Sequence, residues 1–410
     1  MIPRLLEPEL LDVLAESRVA FLSGPRQAGK STLVGTVSGG PWPAEYVSLD
    51  DAATRGAASA DPEGFLETVG APVAIDEVQR VPELLIAVKR VVDRDLRPGQ
   101  FLLTGSADLL HLPRIAETLA GRMEILNLWP MAQSELSRGD GRLVDRLFAG
   151  EAATLTPPAA TRADVISRIL AGGYPEALTR QTPRSRARWF NSYVETIVGR
   201  ELPAVARIQA ADELPRLLTL LAARNASVVN LSDVASGLRI SADSVGRYLA
   251  LLETIYLVKR IPAWMSNIGS RPIKTPKVYF ADTGLAGHLL GVDARRLALD
   301  PTLLGGLMEN FVGMELVKQL TWSAVDAQIY HWRSASGAEV DQVVEERGGR
   351  IVGVEVKSSQ AINGSDFAHL TQLRDQVGDR FVAGVVMYLG SRTLRFGDRL
   401  HAVPASALWT

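Results

Sequence analysis

The sequence predicts an α/β protein in three parts: a P-loop domain, a middle with the outline of a winged helix, and a C-terminal α/β domain with a restriction-endonuclease-like layout. Three observations carry that prediction. First, Gly24-Pro25-Arg26-Gln27-Ala28-Gly29-Lys30-Ser31-Thr32 fits the phosphate-cradling pattern GxxxxGK[ST]. Second, short apolar runs alternate with helical patterns on both sides of it, which implies a mostly parallel sheet with its ligand at the strands' carboxyl ends. Third, Asp341 and Glu355-x-Lys357 fall on two strand patterns, with Glu309 on a helix upstream.

Residues 5–17 read as a short helix, and Arg18–Ser23 as a buried strand leading into the loop. Gly24 and Gly29 let the backbone fold so that successive N–H groups face one concavity. The helix opened by Ser31-Thr32 adds a partial positive charge there. Lys30 reaches the outer phosphates of a nucleotide, and the Ser31 hydroxyl joins a Mg²⁺ shell. Further strands are expected over Glu45–Leu49, Pro72–Gln79 and Gln100–Ser106, with a helix from about Pro82 to Asp95. Asp76, at a strand end about 46 residues after Lys30, is the second metal-shell candidate. Glu77 would orient and deprotonate the attacking water. Thr104 and Ser106 fall where a neighbouring strand would present a polar group to the γ-phosphate. Arg114 and Arg122 are candidates for a guanidinium delivered to that phosphate, Arg122 the better one because Gly121 permits close approach.

The chain has 410 residues, 47% hydrophobic and 22% charged, so two to four soluble domains are expected. It has no cysteine, which excludes disulfides, thiolate metal sites and a cysteine nucleophile. The five histidines, His111, His288, His331, His369 and His401, have no zinc spacing. No signal peptide or membrane span is read, and a cytoplasmic location is expected. Net charge is −2, yet Arg180 to Lys274 holds 14 Lys/Arg against 7 Asp/Glu. Such a stretch is either a nucleic-acid-facing surface or a solvated arginine-rich face.

Residues 139–165, rich in Gly, Ala, Thr and Pro, read as a loop or linker. A helix is expected from Arg184 to Ile197, followed by Arg200 and Arg207, which are either structural or able to reach a neighbouring subunit's nucleotide. From Asp212 to Trp264 the pattern is helical: Glu213–Ala223, a short helix opened by Asn230, and a longer one N-capped by Ser241. Tyr256–Pro262 can then form a β-wing. A recognition helix here would offer Ser241, Asp243, Ser244, Arg247 and Tyr248. With one arginine and one aspartate it suits a protein contact as well as DNA.

Several runs resemble one bacterial and archaeal family of AAA-superfamily ATPases with a C-terminal domain of unknown function. They are Leu22–Thr32, Ile75–Leu84, Leu103–Ser106 and Leu119–Arg122, then Gly172–Glu176, Lys277–Leu285, Gly306–Asn310 and Gly337–Asp341. The resemblance covers nearly the whole chain. It implies that Lys30, Asp76, Glu77 and Thr104 form the two nucleotide motifs and the sensor. It implies no physiological role.

At the C-terminal end, Ile351–Lys357 alternates, which puts Glu355 and Lys357 on one face. Gly337–Val344 is a second strand carrying Asp341, and Leu307–Leu320 a helix carrying Glu309. Asp, Glu-x-Lys and a helical Glu make the layout of the PD-(D/E)xK nuclease fold, though no Pro-Asp dipeptide precedes Asp341. Asp341 and Glu355, supported by Glu309, would hold Mg²⁺ or Mn²⁺, and Lys357 would stabilise charge developing on phosphate. The expected organisation is a P-loop AAA-type domain (1–138), a linker with a helical segment (139–210), a winged-helix-like domain (211–275) and a nuclease-like domain (276–410). The expected function is Mg²⁺-dependent ATP hydrolysis coupled to DNA binding or processing, in a homo-oligomer such as a ring. The alternative is a nucleotide-switched regulatory or remodelling module whose nuclease-like domain is idle.

Overall fold

The structure is a computed structural model. It describes residues 2–105, 119–202, 213–267, 269, 271, 275–334 and 336–410, and for Arg200 and Glu201 the backbone alone. Ser106, Arg114 and Arg207, and the side chain of Arg200, therefore lie outside the described residues. The chain divides into two compact units, Met1–Pro130 with Thr254–Tyr256, and Met131–Glu253 with Leu257–Thr410.

The first unit holds strands β1 (Val19–Ser23), β2 (Glu45–Ser48), β3 (Val73–Asp76), β4 (Phe101–Gly105) and β5 (Met123–Asn127). They pair in the order β2-β3-β4-β1-β5, and every pairing is parallel. β1, β3 and β4 are buried along their whole length, as continuous apolar runs in a covered parallel sheet should be. Parallel pairing brings the carboxyl ends of β1, β3 and β4 to one edge, and those ends carry the loop, Asp76 and Thr104. Helix Leu84–Arg94 packs Leu84, Leu85, Val88 and Val92 into the core with Phe21, Ile75 and Leu103. The strand over Pro72–Gln79 is shorter than expected. It ends at Asp76, because Glu77 takes a left-handed backbone (φ 60°) and a 3₁₀ turn, Val78–Arg80, follows.

The second unit contains two sheets. β6 (Ser227–Val228), β7 (Val258–Ile261) and β8 (Lys277–Phe280) form an antiparallel sheet with β8 central. Helices Leu214–Ala223, Leu231–Leu238 and Ala242–Thr254 precede β7. Two of them are capped by side chains: Asn230 Oδ1 accepts the Ser232 amide at 3.0 Å, and Ser241 Oγ, the cap the sequence indicates, that of Ser244 at 3.1 Å.

The larger sheet is mixed. It runs β13-β14-β12-β11-β10-β9, with β9 (Ala327–Arg333), β10 (Glu339–Glu346), β11 (Ile351–Lys357), β12 (Phe381–Tyr388), β13 (Leu394–Gly397) and β14 (Leu400–Pro404). β11 pairs antiparallel with β10 and parallel with β12. A long helix, Pro301–Gln319, is buried over most of its residues and packs on β8 and β11. Asn310 at its centre bonds both backbone groups of Phe280, at 2.7 and 2.8 Å, which fixes helix against strand. The loop expected over residues 139–165 instead carries a six-residue helix, Leu143–Phe148, and a 3₁₀ turn, Glu151–Thr154. Fewer than two turns give too little periodicity to outweigh the Gly and Pro around them.

Candidate functional site

The loop after β1 is a turn that only its glycines permit. Gly24 has φ 150°, and a Cβ there would overlap the Leu128 carbonyl oxygen; Gly29 has φ 97°. Gln27, at φ 61°, is a third positive-φ residue in the same turn. Helix Lys30–Ser38 starts directly after Gly29, so its first-turn N–H groups face the loop. Pro25, Arg26, Ala28 and Thr32 complete the loop and first turn. Arg4, nearly buried, braces the loop from below: its guanidinium donates to Ala28 O at 2.7 Å and to Trp129 O at 2.8 Å.

Lys30 is buried and donates to the carbonyls of Gly24 and Pro25 at 2.8 and 2.9 Å. Its ammonium is thus held over the concavity by the loop itself. Asp76 is also buried. Its Oδ1 accepts from the Thr104 hydroxyl, and its Oδ2 from the Tyr46 hydroxyl at 2.8 Å. Thr104 in turn accepts the Glu77 amide hydrogen at 3.0 Å. Burial, then Asp76 itself, raises the Tyr46 hydroxyl well above its ordinary range, so it stays a donor. Burial also raises the Glu77 carboxyl, against the pull of Lys30 and Arg26, and Gln79 donates to it. A carboxylate with four lone-pair positions accepts two hydroxyls and keeps acceptor capacity. With the Ser31 hydroxyl acting on the same Tyr46, the donor set is hard oxygen, the kind that suits Mg²⁺. Tyr46 has no motif to reveal it in sequence.

Arg122 is placed elsewhere. It precedes β5, whose first residue Met123 pairs with Val19, while the phosphate loop follows Ser23 at the other end of β1. A strand of this length separates the two by about 13 Å. There the Arg122 guanidinium pairs with Asp93, with one contact at 3.2 Å.

The candidate residues of the second unit do come together, around one that sequence reasoning quoted without a role. The Lys277 ammonium, on β8 and only 2% exposed, lies 2.6 Å from Glu309 Oε1, 2.5 Å from Glu339 Oε1 and 3.4 Å from Asp341 Oδ1. Tyr279 donates to Glu309 Oε1 at 3.0 Å. Asp341 Oδ2 accepts the Val356 amide at 2.9 Å, and Lys357 donates to Glu355 Oε1 at 2.8 Å. Glu355 Oε2 is buried with no hydrogen-bond partner. Burial, then Asp341, pushes Glu309 up to about 8 and Glu355 up to about 7. The Glu309, Glu339 and Asp341 charges raise Lys277 against the effect of its burial. The Lys277 ammonium thus occupies the position among Glu309, Glu339 and Asp341 where a cation would sit. Among the described residues no group of three or more His, Cys, Asp or Glu side chains is arranged to hold a metal. No described helix is long and apolar enough to cross a membrane.

Residues 16–137 match the family described as an AAA domain. Residues 162–296 and 304–408 match two domains of unknown function, DUF8612 and DUF4143. An uncharacterised protein of Mycobacterium bovis and another of Mycobacterium tuberculosis are each 32% identical over 404 residues, spanning 97% of this chain and 82% of the relative. The chain belongs to their family. An AAA domain followed by these two domains thus describes most of the chain, and the parallel sheet of the first unit is consistent with a P-loop domain. The AAA match includes Lys30, Asp76, Glu77 and Thr104.

Proposed function

We propose that the chain binds and hydrolyses ATP at the loop Gly24–Thr32 and uses that cycle to switch its second unit. The observation that carries this reading is the parallel order β2-β3-β4-β1-β5, which brings Lys30, Asp76, Glu77 and Thr104 to one sheet edge. Loop N–H groups and Lys30 hold the phosphates. Ser31 and Asp76 would hold Mg²⁺, which when bound neutralises charge on the phosphate oxygens. Glu77 orients the attacking water and takes its proton. Burial raises its affinity for protons, the direction a general base needs. Thr104 holds Asp76 and the Glu77 backbone in place. Arg122, at the far end of β1 and β5, can reach a nucleotide only from another copy, so its use would require a homo-oligomer.

For the second unit, two readings follow from the winged-helix and nuclease-like outlines. One is DNA binding with metal-dependent cleavage by Asp341, Glu355 and Lys357. The other is a nucleotide-switched binding module, for DNA or for a protein, without cleavage. Lys277 among the carboxylates favours the second. The test has two parts. Purified protein should turn over ATP with Mg²⁺ while Lys30→Ala does not; equal turnover in Lys30→Ala would refute the first claim. Fluorescence anisotropy with duplex and single-stranded DNA, with and without nucleotide, should show binding without cleavage. DNA cleavage that disappears in Asp341→Ala would refute the second.

A further inference from the structure

We propose that Lys277 is a built-in cation that takes the place of a divalent ion among Glu309, Glu339 and Asp341, so that this unit holds its carboxylates together without metal. The inference does not depend on ATP hydrolysis. Three carboxylate oxygens from a helix and a neighbouring strand converge on one ammonium, at 2.6, 2.5 and 3.4 Å. An ammonium has three donors, so these contacts saturate it. Lys277 is 2% exposed and sits on the central strand of its sheet, so it does not swing into solvent as a surface lysine does. Its neighbours on the cluster are equally committed: Tyr279 to Glu309 at 3.0 Å, and the Val356 amide to Asp341 at 2.9 Å.

Glu355, 7% exposed and beside Asp341, is likewise served by a lysine: Lys357 donates to its Oε1 at 2.8 Å. Among the described residues the ammoniums of Lys277 and Lys357 are the cations in direct contact with Glu309, Asp341 and Glu355. Removing Lys277 leaves like charges buried together, which is strongly unfavourable unless another cation enters. The vacated position is lined by hard oxygen donors, which take Mn²⁺ or Ca²⁺ in preference to softer ions.

The experiment uses the full chain without nucleotide, with Mn²⁺ as probe, followed by electron paramagnetic resonance and thermal melting. Wild type should melt at the same temperature in chelator and in Mn²⁺, and any Mn²⁺ it binds should be unaffected by Asp341→Asn. Lys277→Met should melt lower in chelator, recover in Mn²⁺, and bind Mn²⁺ at least about tenfold more tightly than wild type. That gain should vanish in Lys277→Met/Asp341→Asn. Lys277→Arg, which keeps the charge, guards against loss of folding in the Met variant and should stay indifferent to Mn²⁺. Wild-type Mn²⁺ binding that is lost in Asp341→Asn would overturn the proposal. So would a Met variant that melts like wild type and gains no site.

Discussion

Thr104 donates its hydroxyl hydrogen to Asp76 Oδ1 while accepting the amide hydrogen of Glu77, so a side chain on β4 fixes both acidic residues at the end of β3. This makes Thr104 a positioning residue. Thr104→Val keeps the shape and removes both bonds, leaving a buried carboxylate oxygen and a buried amide short of partners. The cost should be about 1–3 kcal/mol of stability, measured by urea unfolding. ATP turnover should fall by an order of magnitude or more, about 1.4 kcal/mol per tenfold, while nucleotide affinity changes little. Unchanged turnover would remove Thr104 from the account.

Tyr46 reaches the other oxygen of Asp76 from β2. Tyr46→Phe should lower stability by about 1 kcal/mol, because the lost bond is to a charged group but the ring is partly exposed. Paired with Asp76→Asn in a double-mutant cycle, it should show clear coupling; strict additivity would contradict the contact.

Gly313 lies on helix Pro301–Gln319, where a Cβ would overlap the ring of the fully buried Tyr279. Alanine gains up to about 1 kcal/mol in helix propensity, but overpacking costs about 1–3 kcal/mol. The ring cannot retreat without giving up its bond to Glu309. Gly313→Ala should therefore destabilise the second unit in chemical denaturation, and a more stable variant would contradict the packing.

Glu355 predicts a pH dependence. Its carboxyl is raised from 4.5 to about 7 on folding, so between those values the folded state holds the proton more often than the unfolded state does. Stability from this group is present at low pH and declines as pH rises through about 4.5 to 7. Glu355→Gln cannot titrate, so relative to wild type it should gain stability on going from acidic to slightly alkaline pH, by at most about 3 kcal/mol. Parallel stability curves for the two proteins would contradict the burial argument.

What was legible in the sequence is what is local. The loop Gly24–Thr32 announces itself because its glycines, lysine and hydroxyls are neighbours in the chain, and Asp76 because it ends an apolar run. Glu355 and Lys357 share a face because strands alternate. Tyr46, Arg4 and Lys277 were not assigned because each acts through partners far off in sequence: Asp76, Trp129 and Glu309 respectively. Nor does the composition around Glu77 indicate the left-handed backbone that ends β3 there. Arg122 is the converse case. Its local setting, after Gly121, suggested close approach to phosphate, whereas the parallel register puts it at the opposite end of the sheet.

The central claim is that Lys30 and Glu77 serve one ATP-hydrolysing site in different ways. The most direct measurement compares equilibrium ATP binding with steady-state turnover in wild type, Lys30→Ala and Glu77→Gln. The account predicts that Lys30→Ala loses both, and that Glu77→Gln binds ATP as wild type does while turnover falls about 10²-fold or more, the range for removal of a general base. Wild-type turnover in Glu77→Gln, or ATP binding undiminished in Lys30→Ala, would contradict it.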